Sequence, residues 1–96
     1  MIISFTDKAT EDLYHGVSSA RVRRMPQQIL RTALYKLDIL NGAQILEDLR
    51  SPPGNRLEAL TANYSGLHSI RINSQWRIVF RWKESNAYDV RVVDYH

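Results

Sequence analysis

Apolar residues recur at Ile29, Leu30, Ala33, Leu34, Leu37 and Leu40, the spacing of one helix face, which predicts the longest helix of the chain. Pro26 stands ahead of it, where a first helical residue needs no amide proton, and Asn41-Gly42 closes it. A shorter helix is predicted over Lys8 to His15, with Thr6 and Asp7 supplying capping oxygens and Gly16 ending it. Between the two helices, Val17 to Met25 reads as a polar, basic connector containing Arg21, Arg23 and Arg24. Ala43 to Leu49 has room for one or two further turns. Ser51-Pro52-Pro53-Gly54 then breaks the pattern, because two prolines and a glycine continue neither a helix nor a central strand. Beyond it the period changes to β-type: Asn55 to Leu60, Leu67 to Asn73, Gln75 to Lys83 and Tyr88 to Tyr95 are predicted strands. Thr61 to Gly66 reads as a turn, Glu84-Ser85-Asn86 as a hairpin loop, and Met1 to Phe5 as a further β-prone run. The expectation is an α+β fold, with two N-terminal helices packed on one face of a mainly antiparallel sheet of four to five strands.

Composition narrows the class. Ninety-six residues, 44% hydrophobic and 24% charged, suit one domain over residues 1–96 and leave too little chain for a second core. A net charge of +3 favours anionic partners without the lysine runs of a nucleic-acid-compacting tail. The absence of cysteine excludes disulfides and thiolate metal sites and fits a reducing compartment. The start, Met1-Ile2-Ile3-Ser4-Phe5, lacks the basic and long apolar regions of a signal peptide, and no apolar run is long enough to span a bilayer. A soluble cytoplasmic protein is the default expectation.

Strand parity brings charge and chemistry together. Side chains alternate between sheet faces, so Trp76, Ile78, Phe80 and Trp82 are expected on the helix side, with Arg77, Val79, Arg81 and Lys83 opposite. By the same count His68, Ile70 and Ile72 oppose Ser69 and Arg71, and Tyr88, Val90 and Val92 oppose Asp89, Arg91 and Val93. Arg71, Arg77, Arg81 and Arg91 thus gather on the uncovered face. Guanidiniums donate paired hydrogen bonds to phosphate oxygens, so this face suits a phosphate-bearing ligand. The alternative is a solvated polar face whose arginines pair with Asp89 and Glu58.

The last strand leads into Asp94-Tyr95-His96, an acid, a phenol and an imidazole in consecutive positions. A lone histidine in such a place is more often solvated than catalytic, so His96 gains weight only beside the arginine face. His15 reads as a helix-terminal cation and His68 as a buried, hydrogen-bonded residue. The three histidines have no metal-site spacing, and neither a phosphate loop nor a nucleophile elbow is present, so no metal or cofactor is inferred.

Five segments together resemble the HigB-type toxins, the "plasmid maintenance killer" branch of the RelE/ParE superfamily. They are Met-Ile-Ile-Ser-Phe at the start, Arg50 to Leu60, His68 to Asn73, Gln75-Trp76-Arg77-Ile78 and Val93 to His96. The most specific parts are the proline-glycine-asparagine-arginine-leucine stretch, the asparagine-x-glutamine-tryptophan-arginine stretch and the terminal aspartate-tyrosine-histidine. The resemblance covers essentially the whole chain. It implies a RelE-like microbial ribonuclease-type fold and a type II toxin that cleaves messenger RNA in the ribosomal A site. It also implies neutralisation by a helix-turn-helix, HigA-like antitoxin, through which alone operator DNA would be bound.

Carried over by residue, the resemblance makes Arg77 the contact to the scissile phosphate and Asp94, Tyr95 and His96 the terminal acid, phenol and imidazole. Arg56, Arg71, Arg81 and Arg91 are then the RNA-binding cations. Some relatives carry a histidine and a lysine near the second strand, where this chain has Glu58 and Thr61, so Glu58 becomes the candidate base. The implied reaction is attack of an RNA 2'-hydroxyl on its own 3'-phosphate, which needs a base, a proton donor and positive charge but no metal. Two other readings compete: a ParE-like gyrase poison, and a non-catalytic basic RNA- or ribosome-binding domain.

Overall fold

The computed structural model describes residues 1–94; Tyr95 and His96 lie outside the described residues. Three helices precede a four-stranded antiparallel sheet of order β1-β2-β3-β4. Helix α1 spans Lys8–Tyr14, and Asp7 caps it by accepting the Thr10 amide at 2.7 Å, as the Thr6-Asp7 pair suggested. Gly16 follows at φ +72°, a conformation that a Cβ would strain. The basic connector is more ordered than its composition suggests: Ser19 caps a one-turn helix α2, Ala20–Arg23, through the Val22 amide at 3.3 Å. Helix α3 spans Gln27–Gly42, with Pro26 one position earlier than expected, at its N-cap.

Helix α3 lies on the sheet with Ile29, Ala33, Leu37 and Leu40 fully buried against Ile70, Ile78, Phe80, Ala87 and Val90. Each large side chain so buried stabilises the fold by about 1.5–3 kcal/mol. The stripe departs from the expected one. Leu34 is exposed, and Lys36 takes a place in the buried row instead.

Two short 3₁₀ turns, Leu46–Arg50 and Pro53–Asn55, carry the chain from α3 to the sheet edge. The strand expected over Asn55 to Leu60 contracts to β1, Glu58–Ala59, because residues 53–55 turn and Arg56 adopts a left-handed conformation at φ 45°. Strands β2, Leu67–Arg71, β3, Trp76–Lys83, and β4, Asn86–Asp94, then form a meander. The β2–β3 turn explains the asparagine-x-glutamine-tryptophan stretch: Asn73 Oδ1 accepts the amides of Gln75 and Trp76, each at 2.8 Å. Glu84 and Ser85 join β3 to β4 in a tight turn with both φ values positive. The N-terminal run adds parallel bridges at the outer edge, Ile2 to Ala87 and Phe5 to Val90.

One irregularity corrects the parity reading. Between Val79 and Arg81 the β3–β4 register shifts, with Val79 opposite Arg91 but Arg81 opposite Tyr88. Asp89, at φ 55°, lies in the resulting bulge, where Asp89 and Val90 together face Phe80. The alternation of β4 therefore flips: Ala87 enters the core, and Tyr88 joins the arginine face rather than sharing a side with Val90 and Val92. His68 lies on the core side as expected and stacks on Phe80 at 6.1 Å. Its buried Nδ1 has no hydrogen-bond partner among the described residues, contrary to expectation. Burial holds its pKa below the usual imidazole value.

Candidate active site on the arginine face

The register places Arg71 directly opposite Arg77, and Arg91 and Arg81 further along the same face. Facing like charges destabilise a sheet unless something compensates them. Here Arg77 is compensated by being held. It is 7% exposed, Nε donates to Ser69 Oγ at 2.8 Å, and Nη2 donates to the Arg56 carbonyl at 2.6 Å. Glu58 Oε1 lies 3.2 Å from the same Nη2. Ser69, fully buried beneath it, serves in this strand as a hydrogen-bond acceptor rather than a packing residue. The left-handed Arg56 turns its carbonyl toward the guanidinium, so the break in the expected first strand is what builds this contact.

Arg56, Glu58, Arg71, Asn73, Ser74 and Arg77 line a cavity of about 340 Å³. Among the described residues that line it are three guanidiniums and one carboxylate. A larger depression of about 530 Å³, lined by Met1, residues 41–45 and Ser85, carries no charged side chain in its lining and offers no comparable chemistry. Four of the residues singled out from sequence, Arg56, Glu58, Arg71 and Arg77, thus meet at one cavity. Arg81 and Arg91 share the face without lining it. Arg81 lies 3.6 Å from Asp89, as the alternative reading anticipated, and packs beside Gly66, where a Cβ would stand 3.0 Å from its Nη1.

Asp94 pairs with Trp76 across the ladder and accepts from Gln75 Nε2 at 3.0 Å. It is therefore on the opposite parity from Arg77, at the end of the strand beside it. Tyr95 and His96, both expected to take part in catalysis, fall outside the described residues. Thr61, by contrast, starts the 3₁₀ turn Ala62–Tyr64 and is exposed.

Two residues of this region were assigned no role from the sequence. Asn55 is fully buried, donating Nδ2 to the carbonyls of Leu49 at 3.1 Å and Ser51 at 3.2 Å. Lys36 of α3, also buried, donates Nζ to Asn55 Oδ1. Burial, reinforced by the nearby charge of Arg71, holds the Lys36 pKa below the ordinary lysine value. A signal was available for Lys36: positions 29, 33, 36 and 40 form one helix stripe, and a lysine inside it is an anomaly. Among the described residues no three histidine, aspartate or glutamate side chains converge, and no helix is long and apolar enough to cross a membrane.

Known proteins share both the sequence and the fold. The family model described as "RelE-like toxin of type II toxin-antitoxin system HigB" matches residues 3–96. Toxin HigB-1 of Vibrio cholerae is 42% identical over 87 residues, covering 91% of this chain and 90% of that one. An uncharacterised protein of Haemophilus influenzae is 33% identical over 73 residues, covering 76% of this chain and 71% of its own. Among solved structures, a chain of the heterotetrameric YoeB-YefM toxin-antitoxin complex of Staphylococcus aureus superposes with a TM-score of 0.61 at 16% identity, covering 100% of this chain and 98% of that chain. A point mutant of YafQ from E. coli gives 0.58 at 14% identity, covering 98% and 93%. At such low identities these two structures speak for the fold alone. With the family match over nearly all of the sequence, the chain belongs to the HigB family of RelE-like toxins of type II toxin-antitoxin systems.

Proposed function

We propose that this toxin is a ribosome-dependent messenger-RNA endonuclease that cleaves in the A site, with the arginine-lined cavity as its phosphate-binding centre. The observation that carries the proposal is Arg77: a buried guanidinium fixed by Ser69, Arg56 and Glu58 at a cavity it shares with Arg71 and Arg56. A phosphorane carries one more negative charge than the phosphodiester it forms from, so guanidiniums placed around it favour the transition state over the bound substrate.

In the reaction, the RNA 2'-hydroxyl attacks the adjacent 3'-phosphorus while a base takes its proton. The bond to the 5'-oxygen then breaks as a donor protonates it, leaving a 2',3'-cyclic phosphate and a free 5'-hydroxyl. Because the nucleophile is part of the RNA, the step requires neither a water nucleophile nor a metal. Arg77 stabilises the phosphorane, with Arg71 and Arg56 beside it and Arg81 and Arg91 along the path of the RNA. Glu58 lines the same cavity and is assigned as the base. His96 is assigned as the proton donor, Tyr95 as a stacking or proton-sharing partner, and Asp94, through its bond to Gln75, as the residue that orients the strand end. The partner is a helix-turn-helix, HigA-like antitoxin, and operator DNA is reached only through that complex.

The test is primer extension on messenger RNA from cells expressing the toxin, beside Arg77→Ala and His96→Ala versions. Cuts inside translated codons that disappear in both variants are the expected result. Intact transcripts together with arrested supercoiling would instead identify a gyrase poison. Ribosome binding without any cut would identify a non-catalytic domain.

A further inference from the structure

Lys36 is an unusual member of a small core. A buried ammonium without a carboxylate costs several kcal/mol, and among the described residues no carboxylate lies within ion-pairing distance of it. Its hydrogen bond goes to Asn55 Oδ1, a neutral acceptor. Asn55 in turn commits its amide donors to the carbonyls of Leu49 and Ser51, which close the loop between the two 3₁₀ turns. The next residue, Arg56, is the one whose left-handed backbone presents its carbonyl to Arg77 Nη2. A continuous chain of contacts therefore runs from α3 through the loop to the guanidinium: Lys36 Nζ, Asn55 side chain, Asn55–Arg56 peptide, Arg56 carbonyl, Arg77.

We propose that Lys36 and Asn55 are positioning residues: together they fix the loop at Arg56, so that its carbonyl holds the Arg77 guanidinium in one orientation at the cavity. The phosphate-binding role proposed for Arg77 is what gives this device its use, so the inference rests on that reading and deepens it. The chemistry favours an asparagine at position 55. Aspartate there would face the Leu49 and Ser51 carbonyls with acceptors only, and alanine would leave both carbonyls and the buried ammonium without these partners. A displacement of about 1 Å at a group that binds a transition state lowers rates by about a hundredfold. The expected loss on breaking the dyad is therefore about 10- to 100-fold in kcat, with KM little changed because the RNA still docks on the other arginines.

The experiment reads Arg77 directly and activity separately. The side-chain guanidinium nitrogens of Arg77 are followed by ¹⁵N NMR in the wild type, Lys36→Met and Asn55→Ala, with Arg77→Lys assigning the signals. Cleavage of ribosome-bound messenger RNA is measured on the same preparations. The wild type should show hindered guanidinium rotation with a protected Nη2 proton. In both variants that hindrance should weaken, Nη2 losing its protection while the Nε bond to Ser69 remains, and kcat should fall about 10- to 100-fold, while backbone spectra remain those of a folded protein. Wild-type rotation and Nη2 protection in Lys36→Met overturn the proposal, whatever the cleavage rates. So does full kcat in a variant whose guanidinium has become mobile. If Asn55→Ala fails to fold, Lys36→Met, which replaces a buried charge by an apolar chain of similar length, decides alone. If Arg77→Lys cleaves as fast as the wild type, the assigned role of Arg77 fails, while the NMR result still judges the positioning dyad on its own.

Discussion

The two faces of the sheet are both buried near their centres, yet they are buried by different physics. On the helix side, Ile70, Ile78, Phe80 and Val90 are completely covered within one cluster of apolar side chains. On the arginine side, Ser69 is equally covered and Arg77 almost so, but what joins them to each other and to the Arg56 carbonyl is directional hydrogen bonding. Dispersion is summed over many contacts, so the first face tolerates volume-conserving changes. Hydrogen bonds to a buried charge leave a costly orphan when one partner is lost, so the second does not. The helix side is an apolar core, and the arginine side holds one cation by hydrogen bonds at a cavity lined by two others.

Substitutions on each face should separate stability from activity. Phe80→Ala, on the helix side, is expected to lower the unfolding free energy by about 3–5 kcal/mol in urea titration, while cleavage per folded molecule stays unchanged. Glu58→Gln, on the arginine side, reverses that pattern. As the proposed base its loss should slow cleavage about a hundredfold or more, while the half-exposed ion pair it contributes is worth under about 1 kcal/mol of stability. Wild-type cleavage by this variant would leave Glu58 with only its contact to Arg77 and move the base elsewhere. Ser69→Ala lies between the two, since it removes one oxygen but strands a buried donor: about 1–3 kcal/mol of stability should go, together with part of the activity.

The smallest expected effect is a pH dependence from the helix side. His68 has a folded pKa below its usual 6.5, because burial disfavours the charged ring. Between the two values the unfolded chain binds the proton and the folded chain does not. Stability is therefore full above about pH 6.5 and declines as pH falls toward the folded pKa. In urea titrations from about pH 7.5 to 5, wild type should lose stability more steeply than His68→Gln. Parallel slopes for the two proteins would assign the decline to another group.

Much of this division was legible in the sequence. The helical stripe from Ile29 to Leu40 and the period-two strands led to the α+β fold, and alternation alone put Arg71, Arg77, Arg81 and Arg91 on one face. What could not be read depended on backbone conformation at single residues. Asp89 at φ 55° bulges β4 and moves Tyr88 to the other face, although alternation through Val90 and Val92 gave no hint of a break. Arg56 at φ 45° ends a run that reads as strand and so makes a hydrogen-bond acceptor for Arg77. Lys36 stands out in the helix stripe, but its polar partner, Asn55, lies in a loop whose path no local pattern encodes. Asp94 also defied simple grouping with the other site residues, since its ladder partner is Trp76 rather than Arg77.

The guanidinium of Arg77, held in place on the arginine face, is proposed to stabilise the cleavage transition state. Single-turnover cleavage of messenger RNA on purified ribosomes, comparing wild type with Arg77→Ala and Arg77→Lys, measures that role. Both variants should cleave about a hundred- to a thousandfold more slowly, because alanine brings no charge and an ammonium cannot make the held contacts and still face the phosphate. Cleavage by folded Arg77→Ala at the wild-type rate would remove Arg77 from the reaction.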